Sequence, residues 1–360
     1  MSSRRRTVKR VVVAILILGL LAVNPVVKLV AGDEALQPKR SNQLSDARTG
    51  PWPGRPVHTY SIVARDPATG ELGVAVQSHW FSVGAAVPWA EAGVGAVATQ
   101  SFVDASYGPL GLELMRAGRS APEALRGLLA ADDGRDVRQV AMIDAQGRVA
   151  AHTGSKCIAA AGDLVGANYS VQANLMEKPS VWPAMARAFE AATGDLTDRL
   201  LAALEAAQRE GGDIRGQQSA AILVVRGQVT GRPWVDREVD LRVEDHPDPL
   251  GELKRLVRFH RAYQHMDAGD NCAAKKDWDC AMREYGAAEK LLPEQMEVVF
   301  WHAVTLVTGG RVEQALPLFK KIFAREPKWA ELVDRLPAAG LLPADEKLLA
   351  QIKLQLASAR

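Results

Sequence analysis

Residues 58–67 read His-Thr-Tyr-Ser-Ile-Val-Ala-Arg-Asp-Pro. Its β-branched and aromatic residues predict a strand from Tyr60 to Arg65. The connector Asp66-Pro67-Ala68-Thr69-Gly70 is rich in turn-forming residues, and Leu72 to Gln77 has strand composition again. The sequence therefore predicts a β-hairpin at the start of the folded body, with folded structure from about Val57.

Further strands and paired helices follow this hairpin. Six more strands are predicted at Val94 to Ala98, Val137 to Ile143, Arg148 to His152, Tyr169 to Leu175, Ala220 to Val225 and Val239 to Val243. Helices are predicted at Gly108 to Ala117, after Ser120, at Val181 to Ala192 and at Thr197 to Arg209. Strands clustered in hairpins and interrupted by paired helices indicate an α+β fold of antiparallel sheets covered by helices.

The N-terminus predicts export. Five cations between Arg4 and Arg10 precede the apolar run Val11 to Val23, which is shorter than the ~20 residues needed to span a bilayer. Residues 1–32 are therefore predicted to be either a cleaved signal peptide or an uncleaved membrane anchor, which would be the only contact with the membrane. Residues 33–56 suit a flexible linker, and the body would lie in the periplasm or another extracytoplasmic space.

The composition is that of a globular protein with little affinity for nucleic acid. The chain has 360 residues, which is enough for about two domains at roughly 100–200 residues each. Its formal net charge is +2, and subtracting the five N-terminal cations leaves −3 for the remainder. A faintly acidic body without a basic stripe argues against a nucleic-acid partner.

Residues 261–360 contain an internal repeat. Positions 34 residues apart match as Ala281 with Ala315, Tyr285 with Phe319, Ala288 with Ile322 and Pro293 with Pro327. This period resembles the tetratricopeptide repeat, and the alternative is a generic helical hairpin. Such a region could dock on the preceding domain or recruit a protein partner. Cys272 and Cys280 flank the turn between two predicted helices, and whether they pair is left open, whereas Cys157 is interpreted as a small core residue.

Several standard signatures are absent from the sequence. It has no Gly-x-Ser-x-Gly elbow, no His-Glu-x-x-His and no phosphate-binding loop. The glycines of residues 93–98 resemble a dinucleotide fingerprint, but Thr99-Gln100-Ser101-Phe102 does not begin a helix, as that site requires. The seven histidines are scattered. The sequence therefore predicts no cofactor and no metal.

The body resembles the domain-of-unknown-function family numbered 1028. The resemblance rests on residues 58–67 together with many later blocks: Gly73-Val74-Ala75-Val76-Gln77-Ser78, Gly93-Val94-Gly95-Ala96-Val97-Ala98-Thr99-Gln100, Tyr107-Gly108-Pro109, Thr153-Gly154-Ser155-Lys156-Cys157, Val171-Gln172-Ala173-Asn174, Arg215-Gly216-Gln217-Gln218-Ser219-Ala220 and Asp245-His246-Pro247. It covers residues 57–260. The family is similar to N-terminal-nucleophile hydrolases, which implies a four-layer α-β-β-α sandwich.

That resemblance implies a catalytic threonine. Thr59 would be the nucleophile once the bond after His58 is cut, because its freed α-amine, with a pKa near ~8, could act as the base. Ser78 would orient the Thr59 hydroxyl or amine, and Asn174 or backbone amides would form the oxyanion hole. The alternatives are that Thr59 merely begins a strand, or that Ser61 on the same strand face is the nucleophile.

Three further side chains are candidates for substrate binding. Arg65 could pair with a substrate carboxylate or be a solvated charge, His79 follows Ser78 at a strand end, and Ser219 precedes an apolar strand. Asp245 and His246 are expected instead to cap a helix that starts near Pro249.

Two functions follow as hypotheses. The first is an exported amide-bond hydrolase that acts through an acyl-enzyme on a small amide or a peptidoglycan-derived peptide. The second is a non-catalytic cell-envelope binding module or scaffold that uses the same sandwich and the helical repeats.

Overall fold

The computed structural model describes residues 59–358, and the structural statements below concern these residues. The predicted leader and linker of residues 1–56 lie outside them. Among the described residues, no helix is both long and apolar enough to cross a membrane. The chain is a mixed α/β protein with two antiparallel sheets and a helical C-terminal region.

The larger sheet has six strands, and the predicted hairpin lies in its middle. The strands are β1 (Thr59–Arg65), β2 (Leu72–Ser78), β7 (Gly162–Gly166), β8 (Tyr169–Ala173), β9 (Ser219–Val225) and β10 (Arg237–Val243). Their order across the sheet is β10-β9-β2-β1-β8-β7. The turn between β1 and β2 is closed by Asp66, whose side chain accepts hydrogen bonds from the backbone amides of Ala68 and Thr69.

The smaller sheet has four strands in the order β3-β4-β5-β6. They are β3 (Pro88–Glu91), β4 (Gly95–Ser101), β5 (Arg138–Asp144) and β6 (Val149–Thr153). The hairpin of β5 and β6 was predicted. The short strands β3 and β7 were not, because most of their residues are only half-buried and show no clear alternation.

Five helices accompany the sheets and six follow them. The first five are α1 (Tyr107–Arg116), α2 (Ala121–Ala131), α3 (Val181–Ala191), α4 (Leu196–Arg209) and the short α5 (Pro233–Asp236). The others are α6 (Pro249–Ala274), α7 (Trp278–Leu291), α8 (Met296–Thr308), α9 (Val312–Arg325), α10 (Trp329–Val333) and α11 (Glu346–Ala357). The predicted start of α2 is correct, because Ser120 and Glu123 form a capping box there.

Successive side chains of a strand point to opposite faces of its sheet, so the core is divided into layers on either side of each sheet. In β1, Tyr60 and Ile62 pack with α3 and α4, whereas Val63 points the other way, towards the smaller sheet. Helices α1 and α2 cover the outer face of the smaller sheet, where Val97 and Met142 are fully buried. Each sheet therefore has one face against helices and one face against the other sheet.

Helix α6 crosses the predicted boundary at residue 260 without interruption. Leu253 and Val257 on its first half are buried in the cluster under the larger sheet, and Ala262 and Met266 on its second half are buried with α7 and α8. One helix is therefore common to the sheet region and the C-terminal helices. Its N-cap is Asp248, whose side chain accepts from the backbone N–H of Gly251, rather than the predicted Asp245 or His246.

The C-terminal helices pack in consecutive pairs. Helix α6 packs with α7, and α8 packs with α9. Of the positions that match at the 34-residue spacing, Ala281 with Ala315, Tyr285 with Phe319 and Ala288 with Ile322 are buried, whereas Pro293 and Pro327 are exposed. Cys272, near the end of α6, and Cys280, near the start of α7, form a disulfide across the turn.

Truncating the part of α6 that packs on the sheet should destabilise the protein. Leu253→Ala removes a fully buried side chain, so the free energy of unfolding should fall by about 2–5 kcal/mol. Leu354→Ala is the matched control, because Leu354 on α11 is 65% exposed and its truncation should cost less than about 1 kcal/mol. Urea denaturation would measure both, and equal losses would contradict this account of α6.

A carboxyl pair beside α6 should make stability depend on pH. Burial, followed by a hydrogen bond to Glu238 and the charge of Glu238, raises the pKa of Glu71 from 4.5 to about 7. The folded state thus holds this proton more tightly than the unfolded chain does. The stability that Glu71 contributes is complete below about pH 4.5 and is lost as the pH rises through about 7.

Glu71→Gln keeps this position uncharged at every pH. As the pH rises from 5 to 8, the free energy of unfolding of the variant should therefore increase relative to that of the wild type. Urea titrations at each pH would measure both. Glu331→Gln, on the exposed side of α10, is the control and should run parallel to the wild type. A constant difference between Glu71→Gln and the wild type would show that Glu71 does not titrate in this range.

Candidate active site

Four polar residues meet at one end of the larger sheet. Thr59 begins β1, Ser78 ends β2, Ser219 begins β9, and Asn174 directly follows β8. Because neighbouring strands run antiparallel, the start of one lies beside the end of the next. Thr59 is paired with Ser78, and Ser78 with Ser219, in the strand register. All four side chains are fully buried.

The hydroxyls of Thr59 and Ser78 face each other between the two sheets. Thr59 Oγ1 donates to Ser78 Oγ over 3.3 Å, which is long for a hydrogen bond between hydroxyls. The backbone N–H of Asn174 donates to the Thr59 carbonyl at 3.1 Å. The beginning of β1 is therefore held on both sides, by the end of β2 and by the end of β8.

Two glutamines of the smaller sheet reach across to this end of the larger one. Gln100 Nε2 donates to Gln139 Oε1 at 2.7 Å and lies 3.3 Å from the Thr59 carbonyl oxygen. Gln139 Oε1 also accepts from Asn174 Nδ2 at 2.8 Å, while Gln139 Nε2 donates to the Ala173 carbonyl at 2.9 Å. Both carboxamides are fully buried, and together they connect the two sheets beside Thr59.

Ser61 lies two residues after Thr59, on the same face of β1, and belongs to the same hydrogen-bond network. Gln172 Nε2 donates to Ser61 Oγ, and Ser61 Oγ donates to Gln100 Oε1, each over 2.6 Å. The hydroxyl thus both accepts and donates short hydrogen bonds. Ser61 therefore connects Gln172 of the larger sheet with Gln100 of the smaller sheet, and this arrangement does not favour it as a nucleophile.

The loop 211–218, between α4 and β9, borders the site and contains a buried ion pair. The Asp213 side chain is completely buried and is bound by Arg215 through Nε–Oδ1 and Nη2–Oδ2 distances of 3.0 and 2.7 Å. Asp213 Oδ2 also accepts from the backbone N–H of His79 at 3.3 Å. Burial, and after it the charge of Asp213, raises the pKa of Tyr60 well above its ordinary value. The ion pair therefore fixes the chain directly after Ser78.

Some buried polar atoms beside this loop have no hydrogen-bond partner within residues 59–358. They are both side-chain polar atoms of Gln77, Nδ1 of His79 and Oε1 of Gln217. Gln77 is fully buried and lies on the face of β2 that packs against the helices, opposite to the Ser78 side chain. Buried polar groups cost free energy when they lack hydrogen bonds, so these atoms mark a place where the hydrogen-bonding capacity of the interior is not fully used.

The remaining predicted residues lie in different surroundings. The Ser219 hydroxyl donates to the Trp80 carbonyl and accepts from the Val83 backbone N–H at 3.1 Å, so it holds the loop after β2. Arg65 ends β1, six residues from Thr59, and at ~3.3 Å per residue it lies about 20 Å away. Arg65 therefore does not share a site with Thr59.

The part of the chain that the structure describes holds no group of three or more His, Cys, Asp and Glu side chains arranged for a metal ion. Cys157 is half-buried, and its thiol donates to the Arg138 carbonyl over 3.3 Å. Burial raises the pKa of the Cys157 thiol, which lowers its thiolate fraction at neutral pH.

A family of unknown function, DUF1028, matches residues 59–253. The chain belongs to this family. Among solved structures, the chain is similar to the crystal structure of protein SPO2555 from Silicibacter pomeroyi, a DUF1028 protein. The two share 34% sequence identity, the match covers 56% of this chain and 85% of the other, and the TM-score is 0.50. No match was found among curated proteins.

The matched DUF1028 region contains β1 to β10 and every residue of the site described above. It ends within α6, so the match does not extend over α7 to α11. The similarity thus covers the two sheets and the helices that pack on them. The helical C-terminal region lies beyond the match.

Sequence reasoning did not identify the glutamines or Asp213 as parts of the site. Gln100 and Gln139 did carry a signal, because each occupies an inward position in a strand whose next inward residues are small or apolar, such as Ala98 and Ala141. A polar side chain that continues an inward apolar row predicts a buried network. Asp213 carried no such signal, since it lies in a glycine-rich loop.

Replacing Gln139 by leucine tests the link between the sheets. Gln139→Leu keeps a side chain of similar length but leaves Asn174 Nδ2 and the Ala173 carbonyl without this partner. The free energy of unfolding should fall by roughly 2–4 kcal/mol, as expected when buried polar groups lose their hydrogen bonds.

Gln314→Leu is the control, because Gln314 lies exposed on α9 and its replacement should change stability by less than about 0.5 kcal/mol. Chemical denaturation of both variants gives the comparison. A stable Gln139→Leu protein would mean that the glutamine network contributes nothing to joining the sheets.

Proposed function

We propose that the chain is an exported amide-bond hydrolase of the N-terminal-nucleophile type, with Thr59 as the nucleophile. The observation that carries the proposal is the position of the Thr59 hydroxyl. It lies at the first residue of a central strand, between two sheets and 3.3 Å from the Ser78 hydroxyl. A hydroxyl at the start of a central strand has its own α-amine within reach as a base, once that amine is freed.

The packing of the layers supports this proposal. Helices α1 and α2 cover the smaller sheet, the two sheets pack face to face, and α3 and α4 cover the larger sheet. This layer order supports the proposed α-β-β-α sandwich, the fold to which the DUF1028 resemblance points. In the enzymes that this resemblance implies, the nucleophile begins the first strand, and Thr59 is the first residue of β1.

The proposed reaction has two steps. The free α-amine of Thr59 takes the proton from Oγ1 while Oγ1 attacks the substrate carbonyl carbon, and the C–N bond breaks as the amine leaves with a proton. Water then attacks the resulting ester, which releases the acid and restores the threonine. Ser78 would orient the Thr59 hydroxyl, and Asn174 would place amide dipoles near the developing oxyanion.

The reaction requires cleavage between His58 and Thr59. In the uncut chain the Thr59 nitrogen belongs to a peptide bond, which has no basicity at neutral pH. We propose that the substrate is a small amide or a peptidoglycan-derived peptide, because the N-terminal sequence predicts export. No metal or cofactor takes part in the proposed steps.

A second candidate function is a non-catalytic envelope module. The helical C-terminal region favours it, since α6 joins this region rigidly to the sheets and its paired helices resemble tetratricopeptide repeats, which bind proteins. In this function, the region from residue 261 would recruit a protein partner and Thr59 would only begin a strand. The state of the N-terminus distinguishes the two functions.

Thr59 should be both the first residue of the exported protein and the residue that its amide hydrolysis requires. Protein recovered from the exported fraction of a bacterial host should begin at Thr59, by N-terminal sequencing and intact mass. Thr59→Ala should abolish release of ammonia or amine from amide substrates, because the nucleophile is lost, while the protein stays folded by circular dichroism. Thr59→Ser, which keeps a hydroxyl, should retain measurable activity.

Ser61→Ala is the matched control on the same face of β1. It removes a hydroxyl from the network but not from the proposed reaction, so its activity should exceed that of Thr59→Ala by orders of magnitude. A chain that begins upstream of Thr59 and hydrolyses no amide would support the envelope module instead.

A further inference from the structure

Three loops that surround Thr59 each expose one large apolar side chain. They are Phe81 after β2, Ile158 between β6 and β7, and Ile214 between α4 and β9, with exposed fractions of 64, 38 and 60%. We call these three residues the apolar rim. Exposed side chains of this size are common singly, but three on neighbouring loops at one end of a sheet require an explanation.

Contacts between the loops place the rim beside the proposed nucleophile. The Leu175 backbone N–H donates to the Ile158 carbonyl at 2.9 Å, and the Ile214 N–H donates to the Leu175 carbonyl at 3.2 Å. Leu175 directly follows Asn174, whose own N–H donates to the Thr59 carbonyl. Ile158 and Ile214 are therefore connected to the start of β1 through consecutive backbone hydrogen bonds.

Phe81 is joined to the same group through the loop after β2. The His79 N–H donates to Asp213 Oδ2 at 3.3 Å, which ties this loop to the one that carries Ile214. The Ser219 hydroxyl fixes the Trp80 carbonyl, one residue before Phe81. All three rim residues thus project from backbone that is held in place around one end of the sheet.

The cations of the three loops are compensated. Arg215 is paired with Asp213 at 2.7 Å, and Lys156 lies 3.5 Å from Asp136. The glutamines deeper in the site are hydrogen-bonded to one another and to backbone carbonyls. The large side chains that these loops expose without a charge are those of the apolar rim, and an uncharged apolar group would lose least on binding to them.

We propose that the apolar rim is the subsite for an apolar acyl group next to the scissile amide bond. The inference rests on the proposed function and narrows its substrate class to amides of aliphatic or aromatic acids. A six-carbon acyl chain offers the rim an apolar surface to contact. Acetyl-sized groups would gain little from the rim.

The test uses ligands that the enzyme cannot cleave. In 2-heptanone and acetone a methyl group replaces the nitrogen of hexanamide and acetamide, so no C–N bond is present. Binding to the exported protein is measured by NMR titration. We expect 2-heptanone to bind about tenfold or more tightly than acetone, since four additional methylene groups are removed from water. Phe81→Ser and Ile214→Ser should each weaken 2-heptanone binding about threefold or more.

Val229→Ser is the matched control. Val229 is 64% exposed, as Phe81 is, but it lies in the loop between β9 and β10, at the opposite end of the sheet. This variant should bind both ketones as the wild type does. Because all three positions are exposed, none of the substitutions should prevent folding.

Release of ammonia from hexanamide and acetamide is measured in parallel and separates the two proposals. Preferential binding of 2-heptanone without any ammonia release would retain the apolar subsite and refute the hydrolase. Ammonia release that is equal for both amides and unaffected by Phe81→Ser would retain the hydrolase and refute the subsite. Conversion of a dimer to a monomer by Phe81→Ser, with ketone binding unchanged, would also overturn the subsite, because the rim would then join two copies of the chain.

Discussion

The hydrogen bond between the side chains of Gln100 and Gln139 is the interaction on which the candidate site depends. It lies between the two sheets, and both carboxamides also bind groups of the larger sheet. A buried carboxamide costs free energy unless its donors and acceptors are paired, so the two sheets must stay in register for these amides to be satisfied. The network also extends to a carboxylate, since Gln139 Nε2 donates to Thr153 Oγ1 at 2.9 Å and Thr153 Oγ1 donates to Asp163 Oδ1.

Further from this end, the space between the sheets is filled by apolar side chains. Val74, Ala98 and Ile143 belong to a single buried cluster. A shift of one residue in any of these strands would turn the apolar side chains outward and the outward ones in, so the apolar cluster fixes the register. That register places Thr59 opposite Ser78. The polar site is thus positioned by apolar packing further along the same strands.

The parts of the fold that could be predicted are those in which local pattern and tertiary burial agree. Strands β1 and β2 and the start of α2 had clear alternation, turn residues or capping residues, and the structure has them near the predicted bounds. Strand β3 was missed because it exists through pairing with β4 and has little pattern of its own. The predicted boundary at residue 260 lies within α6, where the residues that pack change from sheet packing to helix packing without a break in the backbone.

The residues of the candidate site could likewise be predicted only where a local pattern places them. The proximity of Thr59 and Ser78 could be predicted from the hairpin, because its turn and the apolar pattern of its two strands favour one register. Asn174 came from the family resemblance, and no local pattern places it beside Thr59. Arg65 is a candidate because it could pair with a substrate carboxylate, yet the full length of β1 separates it from Thr59. The alternation along a strand directly gives the sheet face on which each residue lies. The end of the sheet at which a residue lies depends on how the neighbouring strands are paired.

The ion pair of Asp213 and Arg215 shows how the least predictable segment is fixed. Burying a carboxylate costs several kcal/mol before compensation, and the pair alone is weak evidence of stability. Here Asp213 also accepts from the backbone of His79, and Gly211, Gly212 and Gly216 adopt φ values of +112, +62 and +105°, which favour glycine. The glycines allow the loop to turn, and the carboxylate determines where it stops. Removal of the charge would therefore release the loop after β2 as well as its own loop, which are two of the three that surround Thr59.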